Sequence, residues 1–418
     1  FANLLAIDEL YAVGYIGPVD VTFGMHKLNW GKADSNSILD VVNTQDYSSM
    51  LNMTEARSDT NIMKIANVML DFSAKLGNDS RLELVYVPTF EPWHFATSGK
   101  WMQAAQTTMM KGYMTAMGNL AINELPSIFQ GLAGPYIEQV LGNFDTSSIS
   151  LADLAPDTTS LKFGQVGLRF TTTVGPVDIG TQYYFGYKAQ PAVDMTGVAN
   201  ALPAFISSAT PEITQAILSG KTIDEAINSV MTPDKVKGLM DKVKVVYNPY
   251  HQVGFDAATA LGPVNMRAEL ATNLTYDLKG NDPAVYNPNI AWTLGADYTI
   301  PKINVMLNAQ ATETIILLYD KIDTGSTSID AEVNSKPTST MLTFSVSRNF
   351  FNEKLGLEFN TVYEIEQEDC LLMPSVTWTQ ASGFTMKLCS GIFLGNENGQ
   401  FGQYKDNTFI RFDAKYMF

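Results

Sequence analysis

Leu261-Gly262-Pro263-Val264-Asn265-Met266-Arg267-Ala268-Glu269-Leu270-Ala271-Thr272-Asn273-Leu274 decides how this chain folds. After the Gly-Pro pair the side chains alternate. Val264, Met266, Ala268, Leu270 and Leu274 fall on one face; Asn265, Arg267, Glu269 and Asn273 fall on the other. A strand turns successive side chains to opposite sides, so a period of two marks an extended segment with one apolar and one polar face. The turn recurs as Ile16-Gly17-Pro18-Val19-Asp20-Val21 and as Val174-Gly175-Pro176-Val177-Asp178-Ile179. Gly and Pro make each turn, a β-branched residue opens one face, and Asp or Asn opens the other. Segments 177–188 and 290–300 alternate in the same way, with rings such as Tyr183, Tyr187, Trp292 and Tyr298 on the apolar side, and Tyr11 and Tyr15 of the first strand are read onto the same face.

A soluble sandwich also alternates, so the connections have to separate the two architectures. Tight turns fall at Gly17-Pro18, Gly77 to Ser80, Gly175-Pro176, Gly262-Pro263, Pro301-Lys302, Asn349 to Glu353 and Ser382-Gly383. Long connections lie between them, near 31–61, 93–159, 189–249, 279–288, 320–337 and 395–406. Short turns at one end and long loops at the other are the arrangement of outer-membrane barrels. The last strand alternates Ile410, Phe412, Ala414, Tyr416 and Phe418 with Arg411, Asp413 and Lys415. With Phe412, Tyr416 and Phe418 it resembles the terminal signal strand that barrel-insertion machinery reads. Strands are predicted near 3–16, 18–30, 62–75, 81–91, 160–174, 177–188, 250–261, 264–278, 289–300, 302–317, 338–348, 354–365, 370–380, 384–394 and 408–418. A closed bacterial barrel needs an even number. The expectation is therefore an all-β, transmembrane antiparallel β-barrel of about 16 strands over residues 1–418, with 14 as the runner-up. The missing strand either precedes Phe1 or is hidden in one of these segments.

Bulk properties narrow the function. The net charge of −16 over 418 residues argues against nucleic acid, which requires clustered Lys and Arg. Apolar residues make up 45%, yet no run of about 18 offers a helical span. Cys370 and Cys389 fall on opposite faces and out of register, so no disulfide is expected. No export signal opens the chain at Phe1, and one is expected to have been removed or to lie upstream.

Two long loops read as helical. Trp101, Met102, Met109, Met110, Tyr113, Met114, Met117 and Leu120 recur at helical spacing within 98–124. Over 210–244, Thr210-Pro211-Glu212, Thr222 with Glu225, and Thr232-Pro233-Asp234 each carry an N-cap signal. The insertions 93–159 and 189–249 are therefore expected outside the hydrocarbon, as a lid, a constriction or a cap.

His26-Lys27-Leu28-Asn29-Trp30-Gly31-Lys32-Ala33-Asp34 is followed by Ile38-Leu39-Asp40-Val41-Val42-Asn43-Thr44-Gln45-Asp46-Tyr47. This stretch resembles a porin-like family of Gram-negative outer-membrane barrels of poorly defined function. Its members share a strand ending in Trp-Gly, an Asp shortly after, and Leu-Asp-Val-x-Asn-Pro-x-Asp. Thr44 stands where that pattern has Pro. The clear match covers about forty residues, and it implies a loop near or inside the lumen. The residues themselves agree in part. Asp34, Ser35, Asn36, Asp40, Asn43 and Asp46 can bond their own backbone and fix a loop in one shape. Trp30, Asp34, Asp40, Asn43 and Asp46 are thus candidates for a constriction in an in-pore loop over 31–61.

The polar faces supply the pore-lining candidates: Arg169, Asp178, Lys188, Arg267, Glu269, Asp297, Glu358, Lys387, Arg411, Asp413 and Lys415. Opposite charges two apart, Arg267 with Glu269 and Arg411 with Asp413, suggest a self-neutralising wall that keeps water in the lumen, or a transverse field that orders solutes. His26, His94 and His251 are scattered and lack metal-ligand spacing, and neither a nucleophile motif nor a phosphate loop is present. No cofactor, metal or catalytic residue is expected. The reading is a porin-type channel in the bacterial cell outer membrane for passive diffusion of small solutes, with outer-membrane lipid as its surroundings and a homo-oligomer as an option. A non-conducting barrel that displays loops or sheaths a partner chain is the alternative, and an outer-membrane enzyme the third.

Overall fold

The computed structural model describes residues 7–55, 59–103, 155–230, 232, 235, 238, 241–282, 284–322, 336–380 and 383–416. Its strands are β1 (Leu10–Ile16), β2 (Val19–His26), β3 (Asp46–Tyr47), β4 (Asn67–Leu76), β5 (Ser80–Val87), β6 (His94–Phe95), β7 (Gln165–Val174), β8 (Val177–Tyr187), β9 (Ala192–Asp194), β10 (Lys244–Val246), β11 (Pro249–Leu261), β12 (Val264–Thr275), β13 (Asn289–Ile300), β14 (Val305–Ile316), β15 (Thr338–Phe350), β16 (Leu355–Glu364), β17 (Asp369–Thr379), β18 (Phe384–Gly395) and β19 (Phe409–Tyr416). Fifteen form one antiparallel meander in chain order, β1-β2-β4-β5-β7-β8 and then β11 through β19. The short strands β3 with β6 and β9 with β10 form two separate pairs.

Register fixes two opposite faces. Between β11 and β12, Gln252 stands opposite Asn273 and Asp256 opposite Glu269, while Val253 meets Thr272 and Phe255 meets Leu270 on the other side. The polar face is the covered one: Gln182, Gln252, Asp256, Glu269, Asn308 and Gln310 are all buried. The apolar face is open, with Phe255 at 52% and Leu294 at 55% of full exposure. A water-soluble sheet buries its apolar face, so this inversion is that of a transmembrane barrel wall.

The sheet curls upon itself. β2 and β18 are twelve strands apart in the meander, a span of about 58 Å in a flat sheet at ~4.8 Å per strand. Yet Asn43 bonds the His26 carbonyl of β2, and Thr54 lies 3.6 Å from Cys389 of β18. Eleven residues of chain reach at most about 40 Å, so the two walls face each other across an interior. β1 and β19 run in the same direction, and among the described residues they do not pair with each other. The meander thus holds the fifteen strands read one by one, and the expected sixteenth came from parity rather than from a segment of sequence.

Turns at one end are two to four residues long. Ile16 pairs with Val19, Val174 with Val177, and Leu261 with Val264 across two-residue Gly-Pro loops. Their glycines have φ of 60°, 60° and 61°, the positive value that the first position of a II′ hairpin turn requires. The long connections gather at the other end, with one exception, residues 365–368.

Two readings need correction. Tyr11 and Tyr15, expected on the outer face, pair with Gly24 and Asp20 and so share the polar face. Their strand alternates Tyr11, Val13 and Tyr15 against Leu10, Ala12 and Ile16, apolar on both sides, so hydropathy could not assign its faces. A helix was expected to start at Thr210-Pro211. Instead α1 (Thr196–Leu218) runs through Pro203 and Pro211. Its stripe of Val198, Leu202, Ile206 and Ala209 is buried, and the Thr210 hydroxyl donates back to the Ile206 carbonyl at 2.8 Å rather than capping. In α2 (Ile223–Val230) the Thr222 hydroxyl accepts from the Glu225 amide, and the Glu225 carboxylate accepts from the Thr222 amide, a capping box. The helical reading of 98–124 falls mostly, and that of Thr232-Pro233-Asp234 partly, outside the described residues.

Candidate functional site: the polar interior and the segment across it

Segment 27–66 leaves β2, crosses the polar face and returns to β4. Trp30 is its root. The ring is 3% exposed and packs with Val42, Met69, Val85, Val87, Tyr184 and Tyr250. Its indole nitrogen donates to Glu83 Oε1. The wall makes room for it: a Cβ on Gly167 of β7 would lie 2.4 Å from the Trp30 ring. Gly254 of β11 does the same for Leu39, again at 2.4 Å. Glycines on the covered face are therefore sockets for the segment's side chains.

The tip is held by side chains of the wall. Glu269 of β12, itself buried, accepts the backbone N–H groups of Lys32, Ala33 and Ile38 at 2.5, 2.8 and 3.1 Å, and the Ser37 hydroxyl at 2.9 Å. Gly31 adopts φ +95°, and a Cβ there would strike Ser37 Oγ at 2.0 Å, so only glycine passes this point. Gln182, Gln252 and Gln310 donate amides to the carbonyls of Leu39, Ile38 and Ser35. Asp34 does not bond its own backbone. It takes Arg267 Nη1 at 2.8 Å and the Asn308 amide at 2.6 Å. Asp40 pairs with Lys64 at 2.5 Å; burial pushes its carboxyl above the ordinary range while the Lys64 ammonium pulls the other way. Asn43 accepts from Leu28 N–H and donates to the carbonyls of His26 and Ile65, tying the two roots of the loop. Asp46 caps its own turn through the Ser48 amide.

The eleven wall candidates all belong to the polar side. Arg169 pairs with Asp256 at 2.6 Å, their side chains 7% and 0% exposed. Arg267 bridges Asp34 and Asp297. Lys387 meets Glu55 at 2.9 Å and Arg411 meets Asp413 at 2.8 Å. Lys188 lies over the Tyr250 ring. Asp178 takes the Thr173 hydroxyl, and Glu358 and Lys415 stand opposite Ser347 and Thr385. The expected pair Arg267–Glu269 does not form. Arg267 is taken by Asp34 and Asp297 and Glu269 by the loop amides, whereas Arg411 and Asp413, also two apart on one strand, do pair.

Sequence reading missed Gln182, Gln252, Gln310, Asp256, Gly167 and Gly254. For the amides and glycines the only available signal was their place on the polar face, since they carry no charge to flag them; Asp256, a carboxylate on that face of β11, did carry one. His26 is buried with its ring 5.5 Å from Tyr11, and His94 and His251 bond Glu91 and Tyr183. Glu55, Cys389 and Asp413 each bring one ligand atom within 4.8 Å of the others, but Lys387 and Arg411 already neutralise the two carboxylates. Phe412 and Tyr416 point outward, at 63% and 60% exposure; Phe418 lies outside the described residues.

Among solved structures, a mutant of the Rh. blastica porin is similar at 8% identity and a TM-score of 0.35, covering 97% of this chain and 87% of that one. A second mutant of that porin matches at 8% identity and 0.34, covering 92% and 83%. The P. putida toluene transporter TodX matches at 9% identity and 0.27, covering 79% and 76%. Register and the two-faced sheet define the fold without them. No curated protein matches. A family model described as "Protein of unknown function (DUF1302)" matches residues 3–329, and the chain belongs to that family.

Proposed function

We propose that this chain is a bacterial outer-membrane channel through which small polar solutes diffuse passively, with segment 27–66 folded into the lumen as its constriction. The observation that carries this is the tethering of the segment's backbone to Gln182, Gln252, Glu269 and Gln310 on four wall strands. A loop that merely decorated the rim would not have glycine sockets prepared for it on the wall. The apolar outer face is the surface that lipid covers, and the paired charges inside keep water in the lumen without a strong single-sign field. Solutes would pass between the tethered tip and the opposite wall, with Arg267, Asp34 and Asp297 at the margin of the passage. No chemical step is required of any residue.

A second reading has one observation in its favour. Met50, Val362, Leu371, Met373, Phe393, Phe401 and Tyr404 form a buried apolar cluster over β16–β18. It seals that side and would suit a closed scaffold that displays its loops. Liposome swelling with sugars of graded size separates the two. A channel gives swelling that stops above a size limit; folded barrels that give none with the smallest sugar would sink the channel reading.

A further inference from the structure

β16 and β17 are joined only by residues 365–368, where every other connection at that end spans at least thirteen residues. The tight turn sets Glu364 directly opposite Asp369. Both are on the covered face, at 3% and 1% exposure. One oxygen of each is held from outside the pair. The Ser339 hydroxyl donates to Glu364 Oε1 at 2.7 Å, and the Phe401 and Gly402 amides donate to Asp369 Oδ2 at 2.6 and 2.9 Å. The remaining oxygens, Glu364 Oε2 and Asp369 Oδ1, are buried and have no hydrogen-bond partner among the described residues. No ion pair among the described residues reaches either carboxylate.

Two buried carboxylates on facing positions, with Cα atoms about 5 Å apart, repel each other strongly unless a cation or a proton sits between them. We propose that Glu364 and Asp369 bind a hard divalent cation of the calcium type through these two free oxygens. Such an ion takes its other ligands from carbonyls and water. The loop after β18 is built to come against this point: a Cβ on Gly399 would lie 2.2 Å from Asp369 Oδ2. Because the same Asp369 holds the amides of Phe401 and Gly402, the ion would lock the 396–407 loop to the wall. Glu366 is already occupied by Thr338 and Thr340 and adds negative field beside the pair.

The test is equilibrium dialysis of chelator-stripped, refolded barrel in lipid-free detergent against calcium. Wild type, Glu364→Gln, Asp369→Asn and the double variant are compared, with heat-modifiable gel mobility as the folding check. Wild type should hold one more calcium per chain than the double variant, with half-saturation on the order of 0.1–1 mM, and each single change should weaken uptake at least tenfold. Equal uptake by folded wild type and folded double variant overturns the proposal and leaves a shared proton as the neutralising charge. Should the variants fail to fold, infrared spectra of wild type decide. A calcium-induced shift of carboxylate stretching supports the site, and unchanged spectra overturn it.

Discussion

Replacing Glu269 with Ala should release the tip of the segment while leaving the barrel standing. In the native protein this carboxylate accepts three backbone N–H groups and one hydroxyl from residues 32–38. Hydrogen bonds to a charged group contribute about 1.5–3 kcal/mol each, though not additively. Amides freed from the carboxylate can bond water instead, which recovers part of what is lost, and Gln310 and Arg267 still hold Asp34 and Ser35. A net loss of about 3 kcal/mol in anchoring is therefore expected, roughly a 150-fold rise in the detached population. Glu269→Gln keeps an acceptor oxygen and should lose less than half of that. Hydrogen exchange read by mass spectrometry reports the change directly. Peptides over 30–40 should exchange about 100-fold faster in the Ala variant, with those from β12 and β13 unchanged. Unchanged protection of 30–40 in a folded Glu269→Ala barrel would refute the anchoring argument.

Gly167→Val puts a side chain where a Cβ already lies 2.4 Å from the Trp30 ring. Trp30 should be expelled at about 3–5 kcal/mol, seen as a red-shifted emission component that vanishes in the Trp30→Phe background; unshifted emission would contradict the socket. Arg169→Met leaves Asp256 buried without its cation and should lower barrel stability by about 3–5 kcal/mol. Asp256→Leu added to it should recover most of that loss in urea unfolding from vesicles, and a single variant as stable as wild type would show the pair to be dispensable. Thr222→Ala removes half of a capping box and should cost α2 about 1 kcal/mol, measured as faster exchange of the Glu225 amide with no change elsewhere.

The strands were legible because most carry their own period of two, and the Gly-Pro turns mark where three hairpins reverse. Boundaries shifted where the interior intervened. β2 ends at His26 rather than near residue 30, because Trp30 is drawn down into its pocket. β1 was read with its faces exchanged, since rings and aliphatic residues alternate there and hydropathy does not tell them apart. In the loop, the residues expected to bond their own backbone have mixed partners. Asn43 and Asp46 act on nearby backbone, while Asp34 reaches strands more than two hundred residues away. Such contacts depend on which wall the curled sheet brings opposite, which no local pattern encodes. The three glutamines that hold the loop were invisible for the same reason.

The central claim is that segment 27–66 narrows an open lumen. Single-channel conductance in planar bilayers tests it most directly, comparing wild type with a barrel in which residues 31–61 are replaced by a short Gly-Ser linker. Steady, small wild-type steps that grow several-fold when the segment is removed are the predicted result. Equal conductance in both, or none in either when both are folded, would contradict it.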